Sequence, residues 1–426
     1  MTVSAWLSRI IVALVQLVSI RLLLGGLGNE LYAVIVILNS FAAWYLLTDL
    51  GVGAGLQNYM SEERAKGGNG SNYLVLSGLV SGVLLILFTG LLYLLSPFFS
   101  SIFFKSIVTL GSDEKSSIFF ASGILSIGLA LGNIGYRAWY AQQRGYLSNI
   151  MPALASLIGL CLVWIIMGLP MEIQSKLLWS VMALGLPATI LALASYCLQI
   201  VLIPKFNRRF SRATLNNLIK RSLKFCFLNA MATAVLSVDI IVLSQYSSAD
   251  QIVVYGITTR IFGFIAFFYT SLYAALWPHF TEAITKSDWA SVMGHLRKTL
   301  FFSFGIVISS TLLLITFMPS ISEILSPNER LDVPISFILL VGVYHLILAW
   351  VHGFAIVLQS MSDMRFLVFG SPLQPLVSIT FQVIFVQLWG IHGITLGLII
   401  SFLLTSVWMC PSRVRHHRKL AAGKAS

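Results

Sequence analysis

Tyr73-Leu74-Val75-Leu76-Ser77-Gly78-Leu79-Val80-Ser81-Gly82-Val83-Leu84-Leu85-Ile86-Leu87-Phe88-Thr89-Gly90-Leu91-Leu92-Tyr93-Leu94-Leu95 contains no charged side chain. About 20 apolar residues in helical form cover the ~30 Å hydrocarbon core of a bilayer, so this stretch reads as a transmembrane helix. The same reading applies along the chain at 5–27, 31–56, 73–95, 117–141, 147–168, 177–203, 223–245, 251–277, 299–319, 335–358, 366–387 and 390–410. Breaker-rich or charged segments separate them, such as Gly67-Gly68-Asn69-Gly70, Ser112-Asp113-Glu114-Lys115 and Ser326-Pro327-Asn328-Glu329-Arg330. Composition agrees, with 58% hydrophobic and 10% charged residues and a mean hydropathy of +0.89, far from a soluble domain. A membrane β-barrel needs short alternating strands, whereas these runs are continuously apolar. The expected fold is an all-α polytopic membrane protein of twelve transmembrane helices.

The cations orient the spans. Twenty of the 27 Lys and Arg residues fall in the even-numbered connections and the tail, while Arg21, Lys105, Lys115, Lys176 and Arg330 lie on the opposite side and Arg9 and Arg260 lie inside spans. By the positive-inside rule both termini and the 204–222 connection are cytoplasmic. This bias accounts for the net charge of +12 through contact with anionic membrane lipids, and the cations lack the aromatic-bearing soluble module that nucleic-acid binding requires. The first span is too long for a removable signal and runs directly into a second. Cys161, Cys197, Cys226 and Cys410 sit in or at the ends of spans without metal-ligand spacing and read as packing residues.

The basic connection divides the chain into an N-terminal lobe (1–203, spans one to six), the connection itself (204–222), a C-terminal lobe (223–410, spans seven to twelve) and a basic cytoplasmic tail (411–426). An offset of 220 residues aligns Leu56-Gln57-Asn58-Tyr59-Met60-Ser61-Glu62 and Lys66 with Leu276-Trp277-Pro278-His279-Phe280-Thr281-Glu282 and Lys286. A second echo relates Gln143-Arg144-Gly145-Tyr146-Leu147 to Asp363-Met364-Arg365-Phe366-Leu367. Six spans per half make the repeat parallel. Two such lobes in one chain suit alternating access around a shared cavity, whereas a channel normally gathers its pore from symmetric subunits.

The few charges inside spans are the candidates for that cavity. Arg260, after Tyr255-Gly256-Ile257-Thr258-Thr259, lies about nine residues into span eight, ~13 Å deep. Facing lipid there costs at least about 3 kcal/mol, so it faces water or a partner. Asp239, about 9 Å deep in span seven across a tight turn, is one partner, and the pair either fixes helix packing or lines the cavity. Arg9 and Arg21 on span one, Asp49 on span two and Arg137 near the end of span four complete the set. Arg21 and Arg137 can instead snorkel to an interface, and Arg9 can neutralise headgroups. Asp49 falls in Thr48-Asp49-Leu50-Gly51-Val52-Gly53-Ala54-Gly55, where glycines permit a helix break. Arg9 and Gln16 share a helix face. Four arginines against two acids give a cavity biased positive, suited to a phosphate or diphosphate and unsuited to cationic drugs.

No catalytic constellation stands out. The histidines are scattered, with His345 and His352 seven apart on span ten, and neither Gly-x-x-x-x-Gly-Lys-Ser/Thr nor His-Glu-x-x-His occurs. The reading is therefore of a non-enzyme. A multispan polyprenyl-linked sugar polymerase or ligase is the rival from another class, but it should carry a large outward loop with catalytic Arg or His residues.

With its twelve spans in two lobes, the segment Asp49-Leu50-Gly51-Val52-Gly53-Ala54-Gly55-Leu56-Gln57-Asn58, the following Ser61-Glu62-Glu63-Arg64-Ala65-Lys66-Gly67, and Tyr255 through Arg260, the chain resembles bacterial O-antigen flippases of the Wzx type. These belong to the multidrug/oligosaccharidyl-lipid/polysaccharide exporter superfamily. The resemblance implies a fold like the multidrug exporters of that superfamily and export of undecaprenyl-diphosphate-linked oligosaccharide from the cytoplasmic to the periplasmic leaflet of the inner membrane. It implies no bound cofactor, coupling to a proton or sodium gradient, and an O-antigen polymerase as protein partner. Arg260 and Arg9 would be the leading cavity cations, with Asp49, Asp239, Arg21 and Arg137 as further members. Lipid II flippases of the same superfamily usually carry two more C-terminal spans, which this chain, ending in the basic stretch Arg413 to Lys424, does not match.

Overall fold

The computed structural model describes residues 2–65, 67–68, 70–201, 212–326, 331–361 and 373–423. Lys66, Lys205, Arg208, Arg209, Arg330, Arg365, Lys424, the start of the 366–387 span and the 363–367 echo lie outside them. The described residues fold into α1 (Thr2–Tyr45), a 3-10 turn (Leu46–Asp49), α2 (Val52–Ala65), α3 (Ser71–Phe103), α4 (Ser112–Ala141), α5 (Gly145–Gly168), α6 (Ile173–Val201), α7 (Arg212–Leu236), α8 (Asp239–Tyr246), α9 (Ala249–Thr285), α10 (Trp289–Leu325), α11 (Ile335–Ser360), α12 (Leu373–Leu404) and α13 (Ser406–Gly423). No strand occurs among the described residues.

Nine helical stretches among the described residues are long and apolar enough to cross a membrane, or ten when the bent pair Thr214–Leu236 and Asp239–Tyr246 counts as one. Two stretches are far longer than a bilayer is thick, Trp6–Asp49 with 44 residues and Leu373–Ala421 with 49. Each contains a glycine outside helical geometry, Gly28 (φ 74°) and Gly390 (φ 54°). Only glycine takes such torsions at little cost, so these positions interrupt the helices without a long loop. The 43° bend before Asp239 was not expected within the 223–245 span. There the Asp239 carboxylate accepts from the Ile240 N–H at 2.9 Å, the local side-chain-to-backbone bonding by which short acidic residues compete with a continuing helix.

The chain forms two compact units, Met1–Thr233 with Leu325–Glu329 and Ala234–Ile324 with Arg330–Ser426. In the first, α4 packs on α6 through small residues. A Cβ on Gly132 would stand 2.7 Å from the Ala192 Cβ, and one on Gly135 would stand 2.6 Å from the Tyr196 backbone nitrogen. Such close approach is how helices associate in a solvent that gives them no hydrophobic driving force. Phe41 sits edge-on to Phe103 and Phe119 with centroids 4.8 and 5.5 Å away. In the second unit Tyr269, Phe280, Val292 and Val357 are wholly buried, and the Tyr273 hydroxyl donates to the Ala349 carbonyl at 2.9 Å. Large apolar side chains such as Ile86 (76% exposed) and Phe301 (81%) point outward, as on a lipid-facing surface.

Element ends also recur at the offset read from the sequence. α2 ends at Ala65 and α9 at Thr285, 220 residues apart, and the kink at Gly28 inside α1 lies the same distance before Ser248, the N-cap of α9.

Candidate functional site

The site begins at the break in the second apolar stretch. Leu50 and Gly51 both take left-handed torsions (φ 48° and 75°), so the chain leaves the 3-10 turn and restarts as α2. Asp49 holds the restart: its Oδ1 accepts from the Gly51 N–H at 2.7 Å and its Oδ2 from the Gly53 N–H at 3.2 Å. These are N–H groups that a helix start leaves without a partner. Gly51 can approach α7 closely because it has no side chain, for a Cβ there would lie 2.3 Å from the Ser222 carbonyl oxygen.

The same carboxylate borders a cavity of about 630 Å³ inside the first unit. Asp49 and Gln57 line it from the α2 side, Asn133, Arg137 and Tyr140 from α4, Ser148 from α5, and Asn229 and Thr233 from α7. Asn133, Arg137 and Tyr140 stand at i, i+4 and i+7, one helix face. Gly135 lies two residues from both Asn133 and Arg137, about 200° around the helix, so packing of the glycine face on α6 turns the polar face toward the cavity. Arg137 Nη1 donates to Gln57 Oε1 at 3.3 Å, and the Tyr140 hydroxyl donates to Asn149 Oδ1 at 2.5 Å. Asp49 and Arg137 both flank Gly53, whose Cβ position is 3.1 Å from the Asp49 Oδ2 and 3.2 Å from the Arg137 Cγ. One cation and one anion thus offset each other, and the remaining polar lining is amide and hydroxyl. That lining presents both donors and acceptors, the combination that pairs with polyhydroxyl groups.

Of the six charged residues singled out in the sequence, Asp49 and Arg137 meet at this cavity. Arg9 and Arg21 are exposed on α1 and are not among its lining residues; Arg9 makes contacts of its own. Arg260 is half-buried on α9 and Asp239 opens α8, both in the second unit. The expected Asp239 to Arg260 pair is corrected: Asp239 Oδ2 accepts from the Tyr255 hydroxyl at 2.7 Å. Depth explains it. Counted from the turn at Ser247 and Ser248, Asp239 and Tyr255 lie about 12 and 10 Å along their helices, whereas Arg260 lies about 18 Å along and on another face. Sequence reading missed Tyr255 as the partner, although Tyr255-Gly256-Ile257-Thr258-Thr259-Arg260 already marked the segment. It also missed Gln57, Asn133, Asn229 and Thr233. Among the described residues no group of three or more His, Cys, Asp or Glu is arranged to hold a metal ion.

At the rim of α2, Arg221 Nη1 and Glu62 Oε1 form an ion pair at 2.7 Å, and the guanidinium lies 4.8 Å from the Tyr59 ring centroid. Tyr59 stacks on Tyr73 at 4.7 Å. These contacts tie α7 to α2 beside the cavity.

The architecture matches solved transporters along nearly its full length. An inward-facing multidrug-resistance MATE family transporter of the MOP superfamily superposes with a TM-score of 0.77 at 14% identity, covering 96% of each chain. The lipid II flippase MurJ in an inward closed conformation gives 0.73 at 13%, covering 97% of this chain and 87% of that one. The fold is therefore that of an all-α polytopic membrane protein, built like the MATE and MurJ transporters. No protein-family model matches the chain. At the sequence level it is 33% identical over 418 residues to a candidate O-antigen export protein of Yersinia pseudotuberculosis, covering 97% of this chain and 94% of that one. It is 31% identical over 408 residues to a candidate O-antigen transporter of Salmonella typhimurium, covering 96% and 94%. The chain belongs to the Wzx-type O-antigen exporters of that superfamily. These relatives are transporters and flippases, which sets aside the polymerase or ligase reading.

Proposed function

We propose that the chain moves an undecaprenyl-diphosphate-linked O-antigen or related oligosaccharide unit from the cytoplasmic to the periplasmic leaflet of the bacterial inner membrane by alternating access. The observation that carries this reading is the first unit's cavity, which presents amides, hydroxyls, one guanidinium and one carboxylate among the helices of a membrane protein. Its volume falls in the ~300–1,000 Å³ range of small-molecule sites, and its neutral polar lining suits sugar hydroxyls better than a lipophilic cation. Arg137, with donors fixed in a rigid fork, contacts the sugars or the diphosphate while Asp49 offsets its charge. Arg260, Arg9 and Arg21 supply further positive charge along the path. Asp49 and Asp239 are the carboxylates available to a coupling proton or sodium ion.

The reading includes twelve spans in two sets of six. Nine stretches plus the bent pair make ten, and dividing Trp6–Asp49 at Gly28 and Leu373–Ala421 at Gly390 adds two. An even number returns both termini to one side, which the cation bias makes cytoplasmic. An O-antigen polymerase is the protein partner consistent with this role.

Vesicles carrying the lipid-linked glycan and the purified chain test the proposal. A hydrogen bond to a charged group contributes about 1.5–3 kcal/mol, so Arg137→Ala is expected to slow flipping roughly 10- to 150-fold while Arg137→Lys retains part of the rate. Parental flipping by Arg137→Ala at parental membrane density would overturn the site. Efflux of a cationic dye without glycan movement would overturn the substrate class.

A further inference from the structure

The C-terminal helix has two distinct sides. After Gly390 the chain runs helically to Leu404, turns at Thr405, whose N–H bonds to the Phe402 carbonyl at 3.2 Å, and continues as α13. From Ile391 to Cys410 the rise is about 30 Å, the thickness of the hydrocarbon core, which places the later turns of α13 at the headgroups. One side of α13 is packed: Cys410, Pro411 and Val414 are buried, and the Trp350 indole N–H donates to the Val407 carbonyl at 2.9 Å. Arg413 and His417, on the same side, are engaged in contacts of their own.

The opposite side is open. Trp408 (58% exposed), Ser412, Arg415 and Lys419 follow one another at intervals of four, three and four residues, within about 60° of arc, and all are exposed. Exposed Arg418 follows buried Pro411 by seven residues and buried Val414 by four, so it continues the packed side and not this row. From Leu373 to Ser426 the sequence contains no Asp or Glu. An aromatic ring at the membrane boundary followed by cations about two to three turns beyond is the order in which acyl chain, phosphate and solvent are met when leaving a bilayer.

We propose that this face of α13 is a binding site for anionic phospholipid. Trp408 packs at the boundary between acyl chains and headgroups, and Arg415 and Lys419 hold headgroup phosphates. Arg415 and Lys419 rise about 7 and 13 Å past Cys410, and their long stems let the charged ends turn back into a headgroup layer about 5–8 Å deep. The ligand is a resident lipid of the leaflet, so the site is independent of the transported glycan.

The test uses the full-length chain with phosphatidylglycerol titrated against phosphatidylcholine, bound lipid being counted by native mass spectrometry. Each cation at an anionic surface contributes about a five-fold preference, so the variant carrying Arg415→Gln and Lys419→Gln is expected to lose phosphatidylglycerol affinity about 25-fold. Arg297→Gln with Lys298→Gln, which removes the same charge from two exposed cations of α10, measures the loss that cations outside the row give, and the α13 variant should exceed it several-fold. The substituted side chains are exposed, and circular dichroism verifies that the variants fold. An α13 variant that keeps the parental preference, or that loses no more than the control, overturns the proposal. Glycan flipping measured on the same samples reports on the transport reading and not on this one.

Discussion

Gly51 and Gly53 lie two residues apart, yet replacing each by alanine should have opposite consequences. At Gly51 the backbone is left-handed (φ +75°), and a Cβ would stand 2.3 Å from the Ser222 carbonyl oxygen and 2.9 Å from the Cys226 nitrogen, both backbone atoms of α7. The left-handed torsion costs a non-glycine residue about 1–2 kcal/mol and overpacking against an unyielding neighbour costs a further ~1–3 kcal/mol, so Gly51→Ala should lose about 2–5 kcal/mol. In a unit of this size that lowers the melting temperature by roughly 5–15 °C. At Gly53 the torsions are helical, and a Cβ would meet only side-chain atoms, Asp49 Oδ2 at 3.1 Å and Arg137 Cγ at 3.2 Å. Alanine gains up to ~1 kcal/mol over glycine inside a helix, which offsets the tight contacts. Gly53→Ala should therefore melt within ~3 °C of the parent while displacing the two charged groups of the cavity by a few tenths of an ångström. Thermal unfolding of the purified protein, followed by glycan flipping in vesicles, separates the two effects. If Gly51→Ala melts with the parent, the left-handed hinge against α7 does not hold the break. If Gly53→Ala flips at the parental rate, Asp49 and Arg137 do not touch the substrate.

Three further outcomes follow from particular contacts. Tyr255→Phe removes the hydroxyl that donates to Asp239 Oδ2 at 2.7 Å and should cost about 1.5–3 kcal/mol, read as a drop in melting temperature; an unchanged value would mean that another donor replaces it. Glu62→Gln breaks the ion pair with Arg221, whose side chains are 32% (Arg221) and 46% (Glu62) exposed, so the loss should stay below ~1 kcal/mol; a fall of more than about 4 °C would show that the pair anchors α7 to α2 more firmly than a half-exposed bridge can. Arg260→Ala, compared with Arg260→Lys at equal membrane density, should slow flipping about 10-fold, with Lys recovering part of it. Equal rates in all three proteins would remove Arg260 from the transport path.

The helices were legible because an apolar run of bilayer length admits few alternatives, and the turns at Gly28 and Gly390 fall at or beside the expected boundaries between spans. The bend before Asp239 was not legible. Around it, Ala234-Val235-Leu236 and Ile240-Ile241-Val242 continue the apolar run, and only the placement of the Asp239 carboxylate against its own backbone shows where the helix yields. A similar asymmetry governs the cavity. Asp49 could be singled out because a carboxylate in an apolar stretch is costly and needs a reason. Asn133, Asn229 and Thr233 could not, since neutral polar side chains are tolerated in membrane helices for well under 2 kcal/mol and leave little trace in composition.

A signal for them nevertheless exists in the spacing of small residues. Gly128, Gly132 and Gly135 define the side of α4 that meets α6, and the residues roughly opposite that side, Asn133 and Arg137, are the ones that reach the cavity. In a bilayer the packed face of a helix is marked by what is absent from it, because lipid competes for every apolar side chain and only close backbone approach distinguishes protein from solvent. Finding the small-residue face first and then asking what stands across from it separates Arg137, which lines the cavity, from Arg9 and Arg21, which are exposed on α1 and not among the lining residues. Depth along the helix supplies the second coordinate. It assigns Asp239 to Tyr255 because both lie 10–12 Å from the α8 to α9 turn, whereas charge complementarity alone selects Arg260.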